Sequence, residues 1–224
     1  MYDVFEFIDA ARSAGGRVLV HCSQGVSRSV ALSIAYLMWR NGGAYEETFA
    51  QVKAIRGVAS PNIGFTCQLL QWQKRRGGPP APARVYRIAP HSQADPMYLV
   101  PRLLPPRAGL GQLDPRGAFV VHSTAGLYVW RGASCPPEFA AAAERAARQL
   151  VRFEGASPPT YVAQGAEPVA LIAALATAGG SSGGADTSST APAAPGPSWA
   201  DDGFMRVRCA PIARTALAPL PAAS

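Results

Sequence analysis

A cysteine and an arginine with five residues between them, Cys22 and Arg28 in HCSQGVSRS (His21 to Ser29), are the side chains here with the most chemistry to offer. A thiol becomes a strong nucleophile once its pKa is lowered, and the N-terminus of a helix lowers it. The planar fork of an arginine grips two phosphate oxygens at once, which a lysine ammonium cannot match. Between the two, Ser23, Gln24, Gly25, Val26 and Ser27 supply successive backbone N–H groups, and Arg28 adds its own. Gly25 lets the chain fold back with those amides turned inward. Ser29 can hydrogen-bond the sulfur when it leaves a phosphocysteine, and His21 is expected to order the loop by a hydrogen bond. Such a loop supports transfer of a phosphoryl group to sulfur and then to water, with no metal and no cofactor.

The loop needs a strand to enter from and a helix to leave into. Arg17-Val18-Leu19-Val20 predicts a short buried strand, and SVALSIAYLMW, Ser29 to Trp39, predicts a long apolar helix free of Gly and Pro. The positive end of that helix, with its unpaired N–H groups, faces the loop. Upstream, Val4, Phe5, Ile8 and Ala11 recur at helical spacing until Gly15-Gly16. Downstream, Tyr45, Phe49 and Val52 mark a further helix. GGPPAPA, Gly77 to Ala83, reads as a linker. Beyond it YRIAP (Tyr86 to Pro90) and MYLVPRLL (Met97 to Leu104) read as strands. Phe119-Val120-Val121 and Leu127 to Trp130 form a hairpin turning near Thr124-Ala125-Gly126, with an Ala-rich helix from about Pro137 to Val151 packed on the sheet.

HCSQGVSRS resembles the signature of the cysteine-dependent protein tyrosine phosphatases, and AYLM (Ala35 to Met38) resembles the dual-specificity branch. SPNIGFTCQLLQWQ, Ser60 to Gln73, is similar to that branch's closing helix, in which an asparagine at the place of Asn62 braces the phosphate loop. The second half resembles a gelsolin-like repeat, with YVWRG at Tyr128 to Gly132 and a late G-x-E-P at Gly165 to Pro168. The combination is similar to plant-type MAP kinase phosphatases. It implies an α/β fold: the C-terminal part of a dual-specificity phosphatase domain (1–76), a linker (77–84), a gelsolin-like α/β domain (85–175) and a disordered tail (176–224). It also implies hydrolysis of phosphotyrosine and phosphoserine or phosphothreonine in proteins, MAP kinases among them. Gelsolin repeats often bind calcium and actin. The calcium ligand expected after the first hairpin strand is His122 here, so calcium is not carried over, although Glu144 lies on the helix that often supplies a carboxylate. A regulatory or scaffold role for this domain is favoured over actin binding.

The resemblance also requires an aspartic acid that protonates the leaving oxygen, on a loop ahead of the helix before the nucleophile strand. Only Asp3, Glu6 and Asp9 precede Cys22, all on or at the start of that helix and expected to be solvated. The general acid is therefore expected outside this chain, with Met1 the product of a truncated gene reading. The alternative is a complete, catalytically impaired phosphoprotein-binding or scaffold module. An arsenate-reductase-like or low-molecular-weight phosphatase shares Cys-x5-Arg, but AYLM and PNIGF argue against it.

Composition narrows the classes further. The 224 residues allow one or two domains, and the net charge of +7 lies on the two folded parts: residues 1–78 carry nine basic and five acidic side chains, residues 79–178 nine and six. That balance suits an acidic phosphorylated partner, while no zinc finger or basic stripe supports nucleic acid. Lys74-Arg75-Arg76 is taken as a helix C-terminus complement. Cysteines at 22, 67, 135 and 209 show no paired spacing, and a thiolate nucleophile needs a reducing compartment, so the cytoplasm or nucleus is expected. Cys67 is expected in the core and Cys135 in a surface loop. No membrane anchor is expected, since Val169 to Ala178 is too short to span a bilayer.

Overall fold

The structure, a computed structural model, describes residues 1–76, 78, 83–105 and 109–178. Most of the expected linker and nearly all of the expected tail lie outside the described residues. Four helices come first: α1 (Tyr2–Ser13), α2 (Arg28–Asn41), α3 (Tyr45–Ile55) and α4 (Ile63–Arg75). Their apolar faces close one core, in which Phe5, Ile34, Met38, Leu69 and Trp72 are almost fully buried. α2 is apolar on nearly every side because it runs through the middle of this core, as its sequence suggests.

The expected strand at Arg17–Val20 is a correction. The segment is extended, but it belongs to no ladder among the described residues, and Leu19 is 82% exposed. A strand exists by pairing, and all five described strands belong to one sheet built from residue 84 onward. Only Val18 and Val20 turn inward, packing against the helical core.

That sheet has the order β2-β1-β3-β4-β5, from β1 (Arg84–Ser92), β2 (Asp95–Leu103), β3 (Ala118–Ser123), β4 (Gly126–Arg131) and β5 (Pro159–Ala163). Neighbours are antiparallel except β4 and β5, which run parallel because α5 (Pro137–Glu154) crosses over between them. Both faces are covered, so β3 has no polar alternation and all six of its residues are buried. Ala118, Val120, Leu127 and Val129 face α5, whose Ala142, Ala143, Ala146 and Ala147 let it sit close on the sheet. Phe119, Val121, Tyr128 and Trp130 face α6 (Val169–Thr177), which contributes Leu171 and Leu175. β5 and α6 went unpredicted, and α6 shifts the expected end of the ordered part from 175 to at least Thr177. The mixed α/β architecture and the hairpin follow the sequence reading.

The G-x-E-P motif acquires a structural reason. The Glu167 carboxylate accepts the Trp130 indole N–H at 2.8 Å and the Gly165 backbone N–H at 3.0 Å, tying the loop after β5 to the end of β4. Those two bonds hold the Glu167 carboxyl below its ordinary pKa.

Candidate active site

The residues from Ser23 to Ser27 make a tight series of bends between Cys22, at the end of the extended segment, and the first turn of α2. Gly25 takes a left-handed φ of +67°, and a Cβ there would lie 2.8 Å from an Arg56 guanidinium nitrogen. The left-handed φ favours glycine, and a side chain there would also push the Arg56 guanidinium aside. The bend turns the Gly25 N–H toward the Cys22 sulfur at 3.2 Å, and the Ser29 hydroxyl sits 3.3 Å from that sulfur on the other side. Ser29 itself is buried, 4% exposed, so its hydroxyl is fixed in place.

These contacts lower the Cys22 pKa to about 6 from an ordinary 9.0. The Ser29 hydroxyl is the largest cause, followed by the backbone N–H groups of Ser29, Gly25 and Gln24. At neutral pH the sulfur is a thiolate in a ring of donors. Arg28 opens α2 with its side chain exposed and without a protein hydrogen bond or ion pair among the described residues, so its guanidinium is available to an anion. A loop lined by inward amides, a thiolate and a free arginine can hold a phosphate dianion against a nucleophile.

The loop is held from outside by the segment between α3 and α4. Arg56 donates from Nε to the Gly25 carbonyl at 3.0 Å, the Ser60 N–H donates to the Val26 carbonyl at 2.9 Å, and the Asn62 N–H donates to Ser27 Oγ at 3.0 Å. Asn62 serves both the loop and α4. Its backbone reaches the loop, while its side-chain oxygen caps α4 by accepting the Phe65 N–H at 2.9 Å. Arg56 was missed, since a lone arginine after a helix carries no sequence signal of what it will touch.

Several other expectations change. The His21 side chain is exposed and makes no hydrogen bond to a described residue, so it does not order the loop through one. Asp3, Glu6 and Asp9 are engaged rather than solvated. Asp3 accepts from Tyr98 and Gln149, Glu6 from Gln149, and Asp9 from Tyr36 at 2.7 Å and Arg152 at 2.6 Å. Their positions on α1 facing the sheet domain bring them partners that sequence cannot show. Cys67 is exposed on α4 rather than in the core. Cys135 lies partly buried beside Pro136, and burial pushes its thiol above the ordinary value. Of the basic run, Arg75 faces the buried Glu154 at 3.8 Å, while Arg76 lies over the Trp72 ring and donates to the Met38 carbonyl. Among the described residues no group of three His, Cys, Asp or Glu side chains could hold a metal ion. Likewise, no described helix is long and apolar enough to cross a membrane.

The dual specificity phosphatase catalytic domain family matches residues 1–75, and the gelsolin repeat family matches residues 100–172. Residues 1–75 thus match the dual specificity phosphatase domain family, and a gelsolin repeat follows them. It is 45% identical over 174 residues to Protein-tyrosine-phosphatase MKP1 of Arabidopsis thaliana, covering 75% of this chain and 22% of that protein. It is 43% identical over 93 residues to Dual specificity protein phosphatase 1 of Homo sapiens, covering 42% of this chain and 22% of that protein. A solved structure titled "Crystal structure of DUSP15" aligns at 36% identity with a TM-score of 0.32, covering 32% of this chain and 46% of that one. The chain thus spans about a fifth of the length of these curated relatives.

Proposed function

We propose that this chain carries the thiolate half of a dual-specificity protein phosphatase. The observation that carries the reading is the Cys22 sulfur, ionised near neutral pH among backbone amides, with an exposed Arg28 that has no hydrogen bond or ion pair to a described residue at the start of α2. In the first step the Cys22 thiolate attacks phosphorus, an S–P bond forms, and the bond to the substrate oxygen breaks. The amides of Ser23 to Arg28 and the Arg28 guanidinium hold the phosphoryl oxygens through that change. In the second step water attacks phosphorus, inorganic phosphate leaves, and sulfur departs as a thiolate that the Ser29 hydroxyl stabilises by donating to it.

Because Asp3, Glu6 and Asp9 are all bonded elsewhere, we assign the proton for the leaving oxygen to none of them. Substrates whose oxygen leaves readily therefore report on the thiolate step alone. The substrate is a phosphoprotein, and the combination of phosphatase and gelsolin-like parts supports a MAP kinase as that protein. The gelsolin-like part is assigned a regulatory role toward the phosphatase; cosedimentation with filamentous actin tests the competing role.

The test is initial-rate hydrolysis of a series of aryl phosphates by the chain and by Cys22→Ser. We expect turnover that disappears in the variant, is inhibited by tungstate, and falls steeply as the leaving phenol becomes more basic. Phosphopeptide binding without turnover of any aryl phosphate would replace this reading with that of a binding module.

A further inference from the structure

The gelsolin-like part does not stop at its own core. α5 covers the sheet with its alanine face, but its last turn leaves the sheet and enters the helical core, where Phe153 is 1% exposed. The Phe153 ring stacks on Tyr2 at 4.9 Å and meets the edges of Trp39 at 4.9 Å and Phe5 at 5.5 Å. Phe5 in turn touches Trp72 at 6.0 Å, and the Trp72 N–H donates to the Tyr2 hydroxyl at 2.8 Å. The neighbouring Arg152 pairs with Asp9 at 2.6 Å and lies over Trp39. A residue of the gelsolin repeat thus fills the centre of the phosphatase core.

Trp39 and Trp72 are not arbitrary points in that core. Trp39 lies in the last turns of α2, whose first turn carries Arg28 and Ser29. Trp72 lies in the last turn of α4, whose N-cap Asn62 holds Ser27 through its N–H. Both helices begin at the phosphate loop and end in the aromatic cluster, about 16 Å and about 15 Å away at 1.5 Å per residue. A helix transmits a shift at one end to the other as a nearly rigid rod, because cores are close-packed rather than fluid. The Phe153 ring touches Trp39 directly and reaches Trp72 through Phe5 and Tyr2, so it bears on both far ends.

We propose that Phe153 is a positioning residue of the phosphate loop: by fixing the far ends of α2 and α4, the gelsolin-like part sets how Arg28 and Ser29 stand against Ser27 and Cys22. The inference rests on the reading of Cys22 to Ser29 as that loop and adds that the loop is built correctly only when α5 is docked. It gives the gelsolin-like part a definite route to regulate the phosphatase: an event that displaces α5 reaches the thiolate through Trp39 and Trp72.

The test uses the full chain with two readouts that need no turnover: tungstate affinity, and the pH midpoint of Cys22 alkylation. The variants are Phe153→Ala, its conservative partner Phe153→Leu, Arg152→Ala, and Leu171→Ala as a control buried on the opposite face of the sheet. For Phe153→Ala we expect tungstate affinity to fall about tenfold, within what a displacement of an ångström does to an oriented site. The midpoint moves upward, Phe153→Leu restores part of both, and Leu171→Ala changes neither while folded. Should Phe153→Ala not fold, Arg152→Ala decides, with a smaller change in the same direction. Wild-type readouts in the folded Phe153→Ala, or in Arg152→Ala, or an equal effect from Leu171→Ala, would overturn the inference alone. A wild-type chain with neither a low midpoint nor tungstate binding would overturn the phosphate-loop reading itself, and this inference with it.

Discussion

Ser29→Ala removes the contact that contributes most to ionising Cys22 while leaving the backbone N–H groups of residue 29, Gly25 and Gln24 in place. With a pKa of about 6 the thiol is roughly nine-tenths thiolate at pH 7, whereas at 9.0 it would be about one-hundredth. Losing the hydroxyl should carry the midpoint part of the way back, since amide donors remain. A midpoint one pH unit higher would lower the thiolate at pH 6 from about a half to about a tenth, a fivefold loss. Reactivity alone would understate this, because a more basic thiolate attacks faster with a Brønsted slope of about 0.4–0.5. The assay is therefore the alkylation rate of Cys22 by iodoacetamide across pH 4 to 10, read as a midpoint with the modified cysteine identified by mass spectrometry. An upward shift with an unchanged plateau shape is expected. A midpoint that stays put or moves down would refute the claim that the Ser29 hydroxyl stabilises the thiolate.

Three further outcomes follow from the same geometry. Gly25→Ala places a Cβ 2.8 Å from Arg56 and forces a side chain into φ +67°, at a conformational cost of about 1–2 kcal/mol; calorimetric titration should show weaker tungstate binding with the fold intact by circular dichroism. Gly132→Ala puts a Cβ 2.0 Å from the Pro115 carbonyl oxygen, a backbone atom that cannot step aside, so the chain should lose at least about 1–3 kcal/mol in urea unfolding; wild-type stability would contradict the packing of that turn. Because the folded pKa of Cys22 lies below its unfolded value, its ionisation stabilises the fold fully above about pH 9 and not at all once pH has fallen through about 6. The Tm advantage of the chain over Cys22→Ser should therefore grow from pH 6 to 9, and a pH-independent difference would count against the depressed pKa.

How much the sequence disclosed depended on how local each feature was. The loop was legible because Cys22, Gly25, Arg28 and Ser29 act through spacing on one short segment, and the hairpin because β3 and β4 are neighbours joined by a tight turn. β5 was not legible: Pro159 to Ala163 is short, opens on a proline and is mostly exposed, and it becomes a strand only because β4 offers it a parallel edge. α6 read as an apolar stretch without direction until the second face of the sheet was seen to need a cover. The strand expected at Arg17–Val20 failed for the opposite reason, since apolar character predicts burial but pairing needs a neighbour. Arg56 and Phe153 were invisible because each acts across a boundary, one from a loop onto Gly25 and the other from one domain into the core of another. The carboxylates of α1 were misread on the same ground, for Tyr98, Gln149 and Arg152 lie about 90 to 150 residues further along the chain.

The central claim is that phosphate passes through the Cys22 sulfur, and rapid acid quench during a single turnover of a labelled aryl phosphate measures this directly. The account predicts a phosphoryl group that peptide mapping places on Cys22, appearing with the burst of released phenol and absent from Cys22→Ser. Release of phenol with no label on the chain, or label that persists in Cys22→Ser, would contradict it.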